Sequence, residues 1–117
     1  MILCCSCDEW PEYDWLTVNN KSQDTLLIFF SVNYPDTLYP EEWFHWGLIP
    51  PDTVLSVRSY DERDYPFSYN SIVQLFIYNK TIFDQIPWES RRLARPLRRY
   101  EVTRPWMDEH GWTITYP

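Results

Sequence analysis

Apolar and polar residues alternate along much of the chain in the pattern of short β-strands. Residues 14–20, DWLTVNN, show this alternation and lead through the turn-forming letters NNKSQD into TLLIFFSV at residues 25–32. Two β-rich runs separated by turn formers are typical of a hairpin. The second run is apolar at nearly every position, which indicates a central strand buried on both faces.

Further strand signals recur toward the C-terminus. VLSVRS at residues 54–59 alternates, and SIVQLFIYNK at residues 71–80 is a second strongly apolar run. LRRYEV at residues 97–102 and WTITYP at residues 112–117 also have strand character. WFHWGLI at residues 43–49 is ambiguous between a strand and a turn of helix. The chain therefore predicts five or six strands.

Two short helices are predicted in the last third of the chain. PWESRRLA at residues 87–94 begins with a proline, which suits a first helical turn, and places its glutamate before its arginines, as the helix dipole favours. Thr103 as N-cap, Pro105 in the first turn and Gly111 after the last turn predict the second helix. Because there is no regular βαβ alternation, we expect a mainly β fold: an antiparallel sandwich, immunoglobulin-like or related, with these two helices added.

Length and composition fit one such domain. The chain has 117 residues with seven Trp, nine Tyr and six Phe, which supply apolar area for a core, and its ten prolines favour short elements. We assign residues 14–117 to a single β-rich domain and residues 1–13 to an N-terminal tether or truncated lipoprotein signal. No run approaches the roughly 18–20 apolar residues that span a bilayer, so membrane contact is expected only through an N-terminal lipid anchor.

Charge is unevenly distributed along the chain. The formal net charge is −7, yet residues 91–104 contain six arginines and one glutamate. Overall acidity disfavours nucleic-acid binding, because phosphate contacts supply most of that affinity. The cluster is a candidate contact for an anion or an acidic partner, with a solvated face that pairs with the protein's own carboxylates as the alternative. Its candidate residues are Arg91, Arg92, Arg95, Arg98 and Arg99.

A second candidate surface is aromatic. Trp43, Phe44 and Trp46 follow a proline-containing loop on one short segment. Together they can form a platform that stacks against a sugar or contacts a protein partner. The alternative is that these rings plug the open end of the sandwich.

All three cysteines of the chain, Cys4, Cys5 and Cys7, lie within four positions. Structural zinc sites need four ligands, and a redox pair needs a C-x-x-C turn beside a βαβ unit, so we expect no metal and no other cofactor. Ser6 before Cys7 has the form in which a bacterial lipoprotein signal ends, although the charged start and apolar stretch of such a signal are absent. Cys7 is therefore the predicted point of lipid attachment, with an ordinary cytosolic tail as the alternative.

Catalytic motifs are missing from the sequence. It has two histidines, no Gly-x-Ser-x-Gly elbow, no phosphate-cradling glycine loop and no His-Glu-x-x-His. Carboxylates are too numerous to choose a pair without geometry. We therefore expect a protein that is not an enzyme, with a hydrolase acting through an unassigned carboxylate pair as a separate alternative.

The order of several short motifs resembles that of a family of small, uncharacterised lipoprotein-like proteins from Gram-negative gut bacteria. The motifs are LTVNNKSQDTLLIFF, NYPDT, PWESRRL, RRYEVT and the terminal WTITYP, and the similarity runs from Leu16 to Pro117. The resemblance implies a lipid-anchored domain at the cell envelope or outer surface. It implies no activity and no site residue.

These observations lead to two hypotheses of function. The first is an exported binding or accessory module, tethered to the membrane surface through Cys7, whose ligand is a cell-surface glycan or a protein. The second is a soluble cytoplasmic interaction protein that docks an acidic partner through the arginines of residues 91–104.

We expect the mature protein from its native host to begin at an acylated Cys7. Lipoprotein signals are removed before that residue, so Cys4 and Cys5 should be lost with the signal. Intact-protein mass spectrometry should then find two or three acyl chains on the N-terminal residue. A mature protein that keeps Met1 and three free thiols contradicts this prediction and favours the cytoplasmic alternative.

Overall fold

The structure is a mainly β sandwich with short helical additions. The computed structural model describes residues 13–39, 45–59, 67 and 70–117. Its seven described strands are β1 (Tyr13–Asn20), β2 (Leu26–Ser31), β3 (His45–Ile49), β4 (Thr53–Ser59), β5 (Val73–Asn79), β6 (Arg98–Val102) and β7 (Thr113–Tyr116). Its described helices are α1 (Lys80–Asp84), a 3-10 helix (Trp88–Leu93) and α2 (Arg104–Glu109).

The described strands form two sheets. Sheet A has three strands in the order β4-β1-β7, and sheet B has four in the order β3-β2-β5-β6. Every pairing is antiparallel except that of β1 with β7, which is parallel. The predicted mainly β, antiparallel sandwich is thus confirmed, with one parallel pair that local sequence patterns do not indicate. The described chain enters β1 at Tyr13, and the rest of the predicted tether, residues 1–12, lies outside the described residues.

Strand β2 is buried on both faces, as its continuous apolar run predicts. All six of its residues are buried. Alternate side chains of a strand point to opposite faces. Leu26, Ile28 and Phe30 therefore join the core between the sheets, whereas Leu27 and Phe29 join a second cluster on the outer face of sheet B. Each such burial contributes roughly 1.5–3 kcal/mol.

The core between the sheets is closed from the side of sheet A by residues of β1, β4 and β7. Leu16, Val18, Val57 and Ile114 are all buried there. Strand β3 approaches β4 closely through Gly47, where a Cβ atom would come within 2.5 Å of Leu55 Cδ2. A larger residue at this position would therefore require the Leu55 side chain to move.

The second cluster covers the outer face of sheet B and makes the molecule three layers deep. Phe83 of α1 lies 5.8 Å from Phe29 and 4.9 Å from Tyr78, measured between ring centroids. Tyr39 packs edge-on against Phe29 at 5.2 Å. The Tyr78 hydroxyl is buried without a hydrogen-bond partner among the described residues, and burial raises the pKa of Tyr78.

The helices agree in part with the sequence patterns. The segment predicted as a helix at residues 87–94 is a 3-10 helix, in which Ser90 N donates to Pro87 O and Ala94 N to Arg91 O. The sequence patterns do not indicate helix α1, since they assign residues 71–80 to one strand. Asn79 ends that strand and caps α1 by accepting from Ile82 N at 3.0 Å. None of the described helices is long and apolar enough to cross a bilayer.

Helix α2 has the predicted signals at both ends. Thr103 Oγ1 accepts from Trp106 N at 3.3 Å, and Gly111 follows the helix with φ +63°. Trp112 also has a positive φ, of 57°, which is unfavourable for a residue with a side chain. Its buried indole compensates, because Nε1 donates to Asp108 Oδ1 at 2.9 Å. The tight exit from α2 thereby directs the chain into β7.

Asn20 joins the two corners at one end of the sandwich. It is fully buried at the end of β1, and its Nδ2 donates to the carbonyls of Asp24 at 2.7 Å, Ile49 at 3.1 Å and Pro50 at 3.0 Å. Its Oδ1 accepts from the backbone N and the hydroxyl of Ser22. One amide thus links the β1–β2 turn to the turn that carries the chain from β3 to β4.

We expect Asn20→Asp to destabilise the fold by about 3 kcal/mol, because it removes the donors from three carbonyls and buries a charge beside them. Urea unfolding followed by tryptophan fluorescence measures the difference. Asn19→Asp is the matched control, since the neighbouring side chain on β1 is half-buried and lies on the opposite face. Equal effects of the two substitutions would contradict the role given to Asn20.

Candidate functional site

The residues of the predicted aromatic platform are only partly within the described structure. Trp46 lies on β3, where it is 55% exposed and pairs with Phe29 on the outer face of sheet B. Leu48 follows it on the same face and is also exposed. Trp43 and Phe44 lie outside the described residues, as does Cys7, so the platform and the lipid attachment stay predictions.

Two of the predicted arginines bind polar groups of the protein itself. Arg92 donates to the Asp36 carboxylate and to the Tyr39 carbonyl. Arg99 donates to Gln74 Oε1 at 2.9 Å and lies 2.7 Å from a carboxylate oxygen of Glu101. The Arg92 contacts hold the segment of residues 33–39 against the outer face of sheet B, and the contact of Arg99 with Gln74 joins β6 to β5 within the sheet.

Of two further arginines, Arg91 lies within the 3-10 helix and Arg95 follows its end. The Arg91 guanidinium is 4.6 Å from the ring centre of Phe83 and 5.3 Å from that of Trp88. Such contacts stabilise a cation over an aromatic face. Arg95 is exposed and forms no ion pair within the described part of the chain.

Arg98 is separated from the other four arginines by strand alternation. Strand β6 places Arg98 opposite Ile77 and Arg99 opposite Phe76. Ile77 belongs to the core between the sheets and Phe76 to the outer cluster. Neighbouring residues of a strand point to opposite faces, so Arg98 lies on the inner side of sheet B. The five arginines therefore do not form one surface.

Arg98 lines a cleft at the side of the sandwich where both sheets end. In the described part of the chain, β6 is the last strand of sheet B and β7 the last of sheet A, and Tyr100 Oη donates to Thr115 O at 3.4 Å between them. The cleft has a volume of about 500 Å³. The lining residues that matter for its chemistry are Arg98, Tyr100, Trp106, His110, Thr113 and Thr115.

The Arg98 and His110 side chains of the cleft are each held against an aromatic ring. The Arg98 guanidinium lies 4.7 Å from the ring centre of Tyr100. The His110 ring stacks on Trp106 with centroids 3.8 Å apart and an interplanar angle of 13°. His110 Nδ1 is 2.8 Å from Trp106 O, and since a carbonyl only accepts, Nδ1 carries a proton and donates it. Nε2 is then left for other contacts.

Arg98 is the charged side chain among the described residues that line the cleft. None of the described side chains that line it carries a carboxylate, whereas Arg98 brings a permanent positive charge. Burial raises the pKa of Tyr100, although Arg98 nearby acts in the opposite direction. The Tyr100 hydroxyl therefore stays neutral and remains a donor to Thr115 O.

Sequence reasoning named Arg98 as one of five candidates but not the rings around it. Trp106 and His110 are four residues apart, which places them on the same face of a helix, and this spacing was an available signal. Grouping the arginines of residues 91–104 by their distance in sequence gives no reason to associate Tyr100 with Arg98. Strand alternation through RRYEV would have paired Tyr100 with Arg98 instead.

Comparisons with family models, with curated proteins and with solved structures give no match to this chain. The resemblance to lipoprotein-like proteins stays a prediction. A function for the chain is therefore argued from the geometry of the cleft.

We expect the pairing of Asp36 with Arg92 to make stability depend on pH. The Arg92 guanidinium lowers the pKa of Asp36 below its ordinary value of 3.8. A lowered pKa contributes stability that is complete above the ordinary value and is lost as the pH falls through the lowered one. Wild type should therefore have a higher urea midpoint than Asp36→Asn at pH 7, and the difference should shrink below pH 3.8.

The control for this experiment is Glu89→Gln, which changes an exposed carboxylate that forms no ion pair among the described residues. Its urea midpoint should stay within error of wild type at pH 7. A difference between wild type and Asp36→Asn that is the same at both pH values would show that the ion pair is not its cause.

Proposed function

We propose that this protein is a non-enzymatic binding module that holds an anionic ligand in the cleft between β6 and β7. The observation that carries the proposal is the pair of side chains Arg98 and His110, each held against an aromatic ring. No described side chain that lines the cleft carries a carboxylate. In a chain with a formal charge of −7, such a lining is a local exception.

Preorganisation is the physical reason for assigning recognition to these groups. A guanidinium can bind a carboxylate through two parallel hydrogen bonds, which are stronger than bonds between neutral groups. Tyr100 and Trp106 restrict the rotamers of the two cationic or polar side chains before a ligand arrives. Less side-chain entropy is then lost on binding.

The size and polarity of the cleft agree with a small ligand or with part of a larger one. Its volume of about 500 Å³ lies within the roughly 300–1,000 Å³ of ligand pockets. The carboxylate chemistry is shared by acidic glycans and acidic protein segments. Of the arginines in residues 91–104, we propose Arg98 as the one that contacts the acidic partner. Arg92 and Arg99 bind polar groups of the protein itself.

Attachment to the cell envelope through Cys7 remains the localisation that we propose for this module. A tethered domain would present the cleft to ligands near the membrane surface. The cytoplasmic alternative would leave the chemistry of the cleft unchanged, so recognition and localisation are tested separately.

We expect Arg98→Gln to weaken the binding of D-glucuronate tenfold or more, because one charge-assisted bidentate contact is lost. Titrations followed by ¹⁵N–¹H NMR, with the Trp106 indole and the His110 amide as reporters, measure the dissociation constant. D-glucose serves as the neutral probe and should bind much more weakly. Arg95→Gln is the matched control and should leave the constant unchanged.

His110→Phe provides a second variant that keeps a ring against Trp106 while removing the ring nitrogens. It should fold normally and bind glucuronate more weakly than wild type. Glucuronate shifts that are equal in wild type and Arg98→Gln, or that spread evenly over the surface, would refute the proposed site.

A further inference from the structure

The edge of β7 that faces away from β1 forms one wall of the cleft. Thr17 N donates to Trp112 O at 2.9 Å and Lys21 N donates to Tyr116 O at 2.8 Å, so the even-numbered residues of this strand direct their backbone groups toward β1. In a parallel ladder the intervening residues direct theirs to the opposite side. The backbone groups of Thr113 and Thr115 therefore point away from β1.

Two of these four backbone groups already have partners. Thr113 N donates to His110 O at 3.2 Å, and Thr115 O accepts from Tyr100 Oη at 3.4 Å. Within the described part of the chain, the carbonyl of Thr113 accepts no such backbone hydrogen bond, and the N–H of Thr115 donates none. They lie on either side of Ile114, one acceptor and one donor.

This spacing matches one residue of an extended chain. In a parallel ladder, a residue of one strand donates to the carbonyl of the residue that precedes its neighbour on the other strand. It accepts from the N–H of the residue that follows that neighbour. A strand running parallel to β7 can therefore satisfy Thr113 O and Thr115 N with a single residue. Addition of an extended peptide to an open sheet edge is a general mode of recognition.

We infer that the anionic ligand of the cleft is an extended acidic peptide segment that adds to β7 as a parallel strand. The inference rests on the proposed function, since an acidic side chain of the peptide pairs with Arg98 and contacts His110. Backbone pairing favours a peptide over a glycan, because a glycan has no regular sequence of donors and acceptors that repeats along a strand. The peptide becomes the fourth strand of sheet A.

The first experiment selects random heptapeptides displayed on phage against the full chain. Enriched sequences should contain Asp or Glu at one fixed position. Their binding should fall tenfold or more on Arg98→Gln and stay unchanged on Arg95→Gln. Failure to enrich acidic peptides, while glucuronate still binds in a manner that depends on Arg98, overturns the peptide inference and leaves the proposed function standing.

The second experiment tests backbone pairing with two N-methylated forms of the best peptide. One form carries methyl groups on alternate amides, and the other carries them on the remaining amides. Only the amides on one edge of a strand face β7, so one form should lose at least tenfold in affinity and the other should bind like the parent peptide. Hydrogen exchange of the Thr115 amide should slow by tenfold or more on binding of the parent.

The outcomes separate the two proposals. Equal binding of both methylated forms, or an unchanged exchange rate at Thr115, overturns strand addition even where Arg98 is required. Loss of Arg98 dependence for both glucuronate and the peptides overturns the proposed function together with the inference.

Discussion

Sheet B has two apolar faces, and the rest of the architecture follows from the need to cover both. Strands β2 and β5 are buried along almost their whole length. Sheet A covers one face. The other face is covered by Tyr39, Phe83 and Ile86, which come from segments that are far apart in sequence. This second layer brings the segment from α1 through the 3-10 helix over the outer side of the sheet.

The outer layer decides what most of the arginines do. Arg91 stacks over Phe83, and Arg92 pairs with Asp36 on the segment that carries Tyr39. Gln74, a buried polar residue of β5, completes the arrangement by donating to Asp36 O and accepting from Arg99. These residues hold the layer in place. A cluster that looks like a docking surface in the sequence is largely internal packing in the fold.

The cleft exists because both sheets end on the same side of the sandwich. Helix α2 connects β6 to β7 across this side, and its Trp106 is half-buried against the core. Strand alternation turns Arg98 toward the cleft, and the tight exit from α2 at Gly111 and Trp112 brings β7 back alongside it. Arg98, His110 and the outer edge of β7 therefore meet as a consequence of chain connectivity.

The sequence by itself determined the β-rich class, both strongly buried strands and the ends of α2, because these depend on local periodicity and on capping by neighbouring residues such as Thr103. It also singled out Arg98. It did not reveal the parallel pairing of β1 with β7, the unpredicted helix α1 or the cleft. These depend on contacts between distant segments: which strands lie side by side, which face needs cover, and which side chains of Arg98, Tyr100 and His110 meet. Only the tertiary structure decided them, since strand order and packing across layers leave no local pattern in the chain.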